Sequence, residues 1–214
     1  MKIVREKMIH VVGTVDLDHR TGQIRYVNPA EVGIRSEAGA AKRNAEFPEK
    51  VVLQLEDAAG AVLASVEALV RLGSRSENAG RVGLIQEDVP YAPNVKRIRL
   101  LLDGQQLDVF EGGGPPAAVD ANAGIALAGA APGAPNRVAM GAAPASAEAG
   151  ITYTVQARPA DAKSWLTLAV GQRTPKIDID FNQFPNAKRL DVRVLRTNGF
   201  DEAVVNEQSV DLKP

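Results

Sequence analysis

The stretch Asp16-Leu-Asp18-His19-Arg-Thr-Gly22 puts two acids and an imidazole within one short segment. Oxygen ligands at alternate positions open a calcium loop, but the later bidentate Glu and the full spacing of such a loop are missing. The flanking runs "HVVGTV" and "QIRYV" instead predict a hairpin with this stretch as its loop. The other histidine, His10, lies in "MIHVVGTV", which predicts a strand histidine with one face in solvent. Neither histidine has further ligands at zinc-site spacing. Asp178-Ile-Asp180-Phe-Asn182 also sets oxygens two apart, yet Ile179 and Phe181 between them read as core-facing, so the acids take the wet face. The chain has no cysteine, which excludes a disulfide framework, a thiolate metal site and a cysteine nucleophile. It has no G-x-S-x-G turn for a serine nucleophile. Gly112-Gly-Gly114 runs into Pro-Pro rather than a helix, so it is not a phosphate loop. The expectation is a chain that is not an enzyme, with no catalytic residue, no metal site and no cofactor.

Ligand binding by stacking needs aromatics, and the chain has one Trp, three Tyr and five Phe. Trp165, Tyr153, Phe181 and Phe184 fall close together, and the alternation around them makes most of them core. Tyr91 and Phe110 fit a rim position. The candidate contacts for a ligand or partner are Trp165, Tyr91 and Phe184, and the partner they suit is a protein or a polysaccharide. Lys+Arg number 25 against 26 Asp+Glu, a net charge of −1, which gives no reason to expect nucleic acid. No stretch approaches the run of roughly 20 apolar residues that a membrane span requires.

The elements that would carry these residues are strands. Ile151-Thr-Tyr153-Thr-Val155-Gln-Ala157-Arg158 alternates apolar and polar, as do Ile177 to Phe181, Leu190 to Val194, Val51 to Glu56 and Ile98 to Asp103. Turn dipeptides separate them. Asp57-Ala-Ala-Gly60, Asp103-Gly104 and Asn198-Gly199 each predict a hairpin, the last two with the positive φ angles of two-residue turns. Successive hairpins without a long helical period predict an all-β fold of two tandem antiparallel β-sandwiches. "SVEALVRLGSR" (Ser65 to Arg75) is read as a long strand with an irregular continuation, one or two helical turns being the alternative. Ala30 to Lys50 is read as a loop with a short helix near Ala38 to Arg43.

Glycine flexibility followed by stiff Pro-Pro in "EGGGPPAAVDANAG" has the texture of an interdomain linker. The predicted organisation is a first sandwich over 1–111, a linker over 112–124 and a second sandwich over 125–214. Ile125 to Ala128 and Arg137 to Met140 are read as weak strands opening the second sandwich, since without them one sheet would have a bare edge and an uncovered face. The alternative is one long linker reaching Gly150.

One stretch occurs twice. "PNVKRI" begins at Pro93 and "PNAKRL" at Pro185, 92 positions later. In each copy Pro-Asn fits a turn, Lys-Arg starts a strand with its long side chains in water, and Ile98 or Leu190 is the first residue to reach a core. The spacing is about one sandwich domain. The pair therefore predicts the same corner in both sandwiches, leading into each one's last hairpin.

From Glu148 to Asp211 the pieces "TYTVQAR", "SWLTLAVG", "IDIDFNQFP" and "VRVLRTNGFDEA" follow in an order that resembles a fibronectin type III-like, or broadly immunoglobulin-like, module of large exported bacterial proteins. Some of those parent proteins are metallopeptidases. The resemblance implies successive strands, Trp165 packed over the core, and the "NGF" turn closing the last hairpin. "VVLQLEDAAGAVLASV" and "KRIRLLLDGQQLDVF" resemble the sandwich domains that precede such modules. The implied role is a non-catalytic accessory module, a spacer or docking domain, with a polysaccharide- or peptide-binding module as the alternative. The implied location is extracellular or at the cell surface, as an excised piece of a longer exported chain. The N-terminus "MKIVREKMIHVVG" lacks the apolar core of a signal peptide, so the cytoplasm is the alternative.

Overall fold

β-Branched and aliphatic residues at every second position set the strands, and their registers decide the rest. A computed structural model describes residues 2–4, 7–30, 33–35, 48–73, 80–116, 125–128, 137–142, 148–174 and 177–211. The chain divides into two compact units, Met1–Gly112 and Gly113–Pro214.

The first unit contains β1 (Lys2–Val4), β2 (Met8–Asp16), β3 (Thr21–Ala30), β4 (Gly33–Arg35), β5 (Val51–Glu56), β6 (Val62–Glu67), β7 (Val70–Leu72), β8 (Val82–Pro90), β9 (Arg97–Leu102) and β10 (Gln105–Glu111). One four-stranded sheet has the order β3-β2-β8-β7 and the other β10-β9-β5-β6, with β1 and β4 forming a two-stranded ribbon. Every pairing is antiparallel. Val11, Val15, Ile85 and Val89 of the first sheet are buried, as are Val51, Leu53, Leu55, Ile98, Leu100 and Leu102 of the second. Alternation puts each of these on one face of its strand, which is the two-layer solution for a half-apolar sheet. Of the run Ser65 to Arg75, expected as one long strand, the described residues as far as Gly73 fall in two strands. After β6 the chain passes through fully buried Ala68 and enters the opposite sheet as β7. The Ala68 N–H donates to the Val51 carbonyl and the Leu69 N–H to the Glu87 carboxylate, so the crossing leaves neither amide open. The helix expected near Ala38 to Arg43 lies outside the described residues.

The second unit contains β11 (Ile125–Ala128), β12 (Arg137–Ala142), β13 (Thr152–Pro159), β14 (Leu166–Gln172), β15 (Ile177–Asp180), a single 3-10 turn at Phe181–Gln183, β16 (Arg189–Thr197) and β17 (Glu202–Asp211). Its sheets run β11-β12-β15 and β14-β13-β16-β17, again all antiparallel. The two weak strands of the Ala/Gly/Pro-rich stretch are present and paired, with Leu127 opposite Met140. Ile151, Tyr153, Val155, Ala157, Ile179, Phe184, Leu190, Val192 and Val194 form one buried cluster. The fold is all-β, an antiparallel sandwich in each of the two units.

The sheets β6-β5-β9-β10 and β14-β13-β16-β17 have the same strand order. In each, the repeated stretch leads into the third strand. Asn94 has φ 68° and Asn186 φ 67°. Val95 N–H donates to Ala92 O, and Ala187 N–H to Phe184 O, both at 3.2 Å. Proline first and a positive φ second is the signature of a type II turn, so the two copies are one corner built twice. The hairpins that follow differ. Asp103 and Gly104 both take positive φ, 49° and 81°, as a two-residue turn demands. The turn after β16 departs from that expectation: it spans four residues, Asn198 to Asp201. The Asn198 side-chain oxygen accepts from the N–H groups of Phe200 and Asp201, and Phe200 is tucked in with 2% exposure. An Asx cap and a buried ring thus stabilise a longer loop than Asn-Gly alone requires.

Candidate functional site

On β13 and β16 the residues between the core positions point away from the buried cluster. Register sets Gln156 opposite Arg193 and Arg158 opposite Asp191. The neighbouring strands add Thr167 opposite Gln156 and Ser209 opposite Asp191. The result is a polar lattice across four strands. Gln156 donates to Thr167 Oγ1 at 3.1 Å and accepts from Arg193 Nε at 2.7 Å. Arg158 donates through Nε and Nη2 to Asp191 Oδ2 at 3.3 Å, and Ser209 donates to Asp191 Oδ1 at 2.7 Å. The Ser209 hydroxyl, and after it the Arg158 guanidinium, hold the Asp191 carboxyl below its ordinary value against the opposing pull of desolvation.

Trp165 sits beside this lattice, immediately before β14. Arg158 Cζ lies 4.4 Å and Arg193 Cζ 4.3 Å from the centroid of its ring. Both distances are in cation–π range. The indole is half-buried and is not a member of the apolar cluster. This corrects the expectation from the family resemblance, which had Trp165 packed over the core. Its partners are guanidiniums, because the outer-face register delivers two arginines where it lands. Phe184 is buried at 6% exposure within the core and is no surface contact. Tyr91 belongs to the first unit, where Lys7 Nζ stands 3.7 Å from its ring centroid. The three candidate contacts thus have three different surroundings: a cationic lattice, a core, and a lysine.

Both histidines and several acids of the first unit are engaged in cross-links. His10 Nδ1 meets Asp88 Oδ1 at 2.6 Å across the β2–β8 pair. Asp16 Oδ1 accepts from the N–H groups of Asp18 and His19, and Asp16 Oδ2 meets His19 Nδ1 at 2.8 Å. These bonds, the His19 N–H first, lower the Asp16 carboxyl, and Asp16 in turn raises the His19 imidazole. Asp18 takes the backbone and side chain of Arg81, whose Nη1 also reaches Glu49 at 2.8 Å. Asp103 accepts the Lys50 N–H, which lowers its carboxyl most, and its other oxygen takes Arg20. Of the oxygens that suggested a calcium loop, those of Asp16 cap the turn and those of Asp18 hold Arg81. Among the described residues no group of three or more His, Cys, Asp or Glu is placed to hold a metal ion.

A second constellation escaped sequence reasoning. Arg196 is 4% exposed and donates to three oxygens: Pro115 O at 2.7 Å, Pro116 O at 3.1 Å and Glu148 Oε2 at 2.6 Å. Arg196 shares the parity of buried Leu190, Val192 and Val194 on β16 and lands opposite buried Tyr153 in an unbroken β13–β16 register. The alternation of Leu190 to Val194, carried one period further, puts Arg196 on the inner face, but an arginine's charge gives no signal of burial. The Trp165 lattice did carry one: Gln156, Arg158, Asp191 and Arg193 are the polar positions of two alternating runs.

No family model matches the chain, and no curated protein matches it. Among solved structures it is similar to the crystal structure of chicken CNTN1 FN1-FN3 domains, at 12% sequence identity and a TM-score of 0.36, over 99% of its own length. The chain spans 63% of the length of that structure.

Proposed function

We propose that the chain is a non-catalytic accessory module, two β-sandwiches acting as spacer or docking domains within a larger exported or surface-associated bacterial protein, for which a metallopeptidase is one candidate parent. What carries this reading is the use of the charged side chains. Arg20 ties the β2–β3 loop to the β9–β10 turn, and Arg81 ties that loop to the segment before β5. Arg99 is paired with buried Glu56, Arg158 with Asp191, and Arg196 with Glu148. Polar networks of this kind fix strands and sheets against one another and rigidify a body. Stiff units with charges engaged internally suit a part that holds or separates others.

Peptide mapping of the native polypeptide from its source tests the reading. The expected result is that peptides of this chain occur in a secreted or surface fraction, joined to sequence beyond the 214 residues. A free 214-residue polypeptide confined to the cytoplasm overturns it. Titration with polysaccharides and peptides, followed by Trp165 fluorescence, separates the ligand-binding alternative: the spacer reading expects no saturable change.

A further inference from the structure

We infer that Gly113–Pro116, read in the sequence as the start of a flexible linker, is instead a strap of the second unit, locked by the buried Arg196. Glycine and proline have a physical role in that strap. A Pro-Pro segment makes no hydrogen bonds of its own, so its carbonyls are open acceptors. Arg196 takes two of them through Nη1, Pro115 O and Pro116 O, and turns its other arm, Nη2, to Glu148. Glu148 closes the lock from the other side: Oε2 accepts from Arg196 Nη2 at 2.6 Å, and Oε1 accepts from the Gly114 N–H at 3.2 Å. Asn198 Nδ2 reaches Gly114 O at 3.5 Å, which links the strap to the β16–β17 loop. Gly113 is pressed so close that a Cβ there would stand 2.6 Å from the Ile151 side chain and 2.9 Å from Ala149 O. Gly112, by contrast, belongs to the first unit, where its N–H donates to Lys96 O. The first unit therefore ends and the second begins at consecutive residues, and the second unit starts well before its first strand.

The strap also supplies the acceptors of Arg196 Nη1, while its buried Nε has no partner among the described residues. A guanidinium almost removed from water keeps its charge, so it requires oxygens nearby. Two of its three partners come from the strap, which makes a detached strap and a buried Arg196 mutually incompatible.

The test is amide exchange by NMR on the full chain. The Gly114 amide is expected to be protected in the wild type. In R196M and in G113A it is expected to exchange faster by roughly tenfold or more, with Gly112 unchanged. R196K keeps the charge without the fork, and an intermediate rate is expected there if R196M proves unable to fold. A wild-type Gly114 amide exchanging at the rate of an unprotected peptide overturns the lock. So does a Gly114 rate that is the same in wild type, R196K and G113A.

Discussion

The repeated corner can be tested one copy at a time. Asn94 and Asn186 are both exposed and hold φ of 68° and 67°. Left-handed backbone costs an L-residue roughly 1–2 kcal/mol, asparagine tolerates it better than most, and glycine adopts it freely. Asn→Ala at either position is therefore expected to destabilise its unit by about 1 kcal/mol, while Asn→Gly is expected to stay within a few tenths of wild type. With a urea slope of roughly 1–3 kcal/mol per molar, the alanine change moves a midpoint down by about 0.3–1 M. The single Trp makes the assay selective, because Trp165 belongs to the second unit and its ring stands against that unit's Arg158 and Arg193. N186A is expected to lower the fluorescence midpoint, and N94A to leave it in place while shifting a transition seen by far-ultraviolet circular dichroism. If glycine at either site costs as much as alanine, the asparagine acts through its side chain and the type II turn is not what the sequence repeats. A several-fold difference between the two sites would mean that the corners share a sequence without sharing a function in the fold.

Other consequences concern single side chains. W165A is expected to cost the second unit roughly 1–3 kcal/mol, the sum of two cation–π contacts on a half-buried ring. A loss of about 4 kcal/mol or more in urea unfolding, typical of a deleted core aromatic, would contradict its place on the outer face. R99A leaves Glu56, 3% exposed, without its cation, and is expected to destabilise the first unit by about 3 kcal/mol in thermal unfolding. G22A puts a methyl 2.9 Å from Leu100 Cδ2 and 3.0 Å from Leu107 Cδ1, an overpacking expected to cost about 1–3 kcal/mol. The imidazole of His19 is raised above 6.5 by Asp16, so its contribution to stability is fully present below that pH and fades as pH rises through the folded value. The Asp16 carboxyl is lowered from 3.8, so its share is present above that pH and is lost as pH falls through its folded value. A nuclear magnetic resonance titration of His19 should move to lower pH in D16N, and an unmoved titration would show that the pair does not persist in solution.

Alternation made the strands legible, and with them the sandwiches, because side chains on a strand repeat every two residues whatever the partner strand is. It assigned Leu53, Leu55, Ile98 and Leu100 to a core, and all four are fully buried. Position along a strand is less informative where the ladder slips. The β16–β17 ladder slips where β17 carries the extra residue Val205, so inside and outside exchange along β17, and the β13–β14 pairing slips twice. Arg196 is not such a case: it keeps the inner parity of Leu190, Val192 and Val194, while Asp191 and Arg193 keep the outer one, and what hides it from a sequence reading is its charge. Trp165 was misplaced for a different reason. It precedes β14 rather than lying within it, so no alternating neighbour fixes its face, and the ring goes to the side where two guanidiniums stand. The strap at Gly113–Pro116 had a composition that flexible linkers share, and its partner lies 80 positions away in Arg196 (Pro116 to Arg196).

The two sandwiches solve one mechanical problem differently. Both bring a hairpin of the third and fourth strands onto a common sheet order, and both begin it with the same turn. In the first, the hairpin end is pinned from outside by Arg20, which donates to Asp103, Gln105 and the Leu102 carbonyl. In the second, the loop end is pinned from within: Phe200 is buried, Asn198 caps its own loop and reaches the strap, and Arg196 holds the strap down. Surface pins of the first kind weaken with salt, whereas a desolvated cation among carbonyls is little screened. Raising ionic strength should therefore loosen the β9–β10 turn before the β16–β17 loop, and amide exchange at Gln105 against Gly199 reads that order. The reverse order would mean that Arg20 contributes nothing to holding its hairpin and that the shared corner alone sets it.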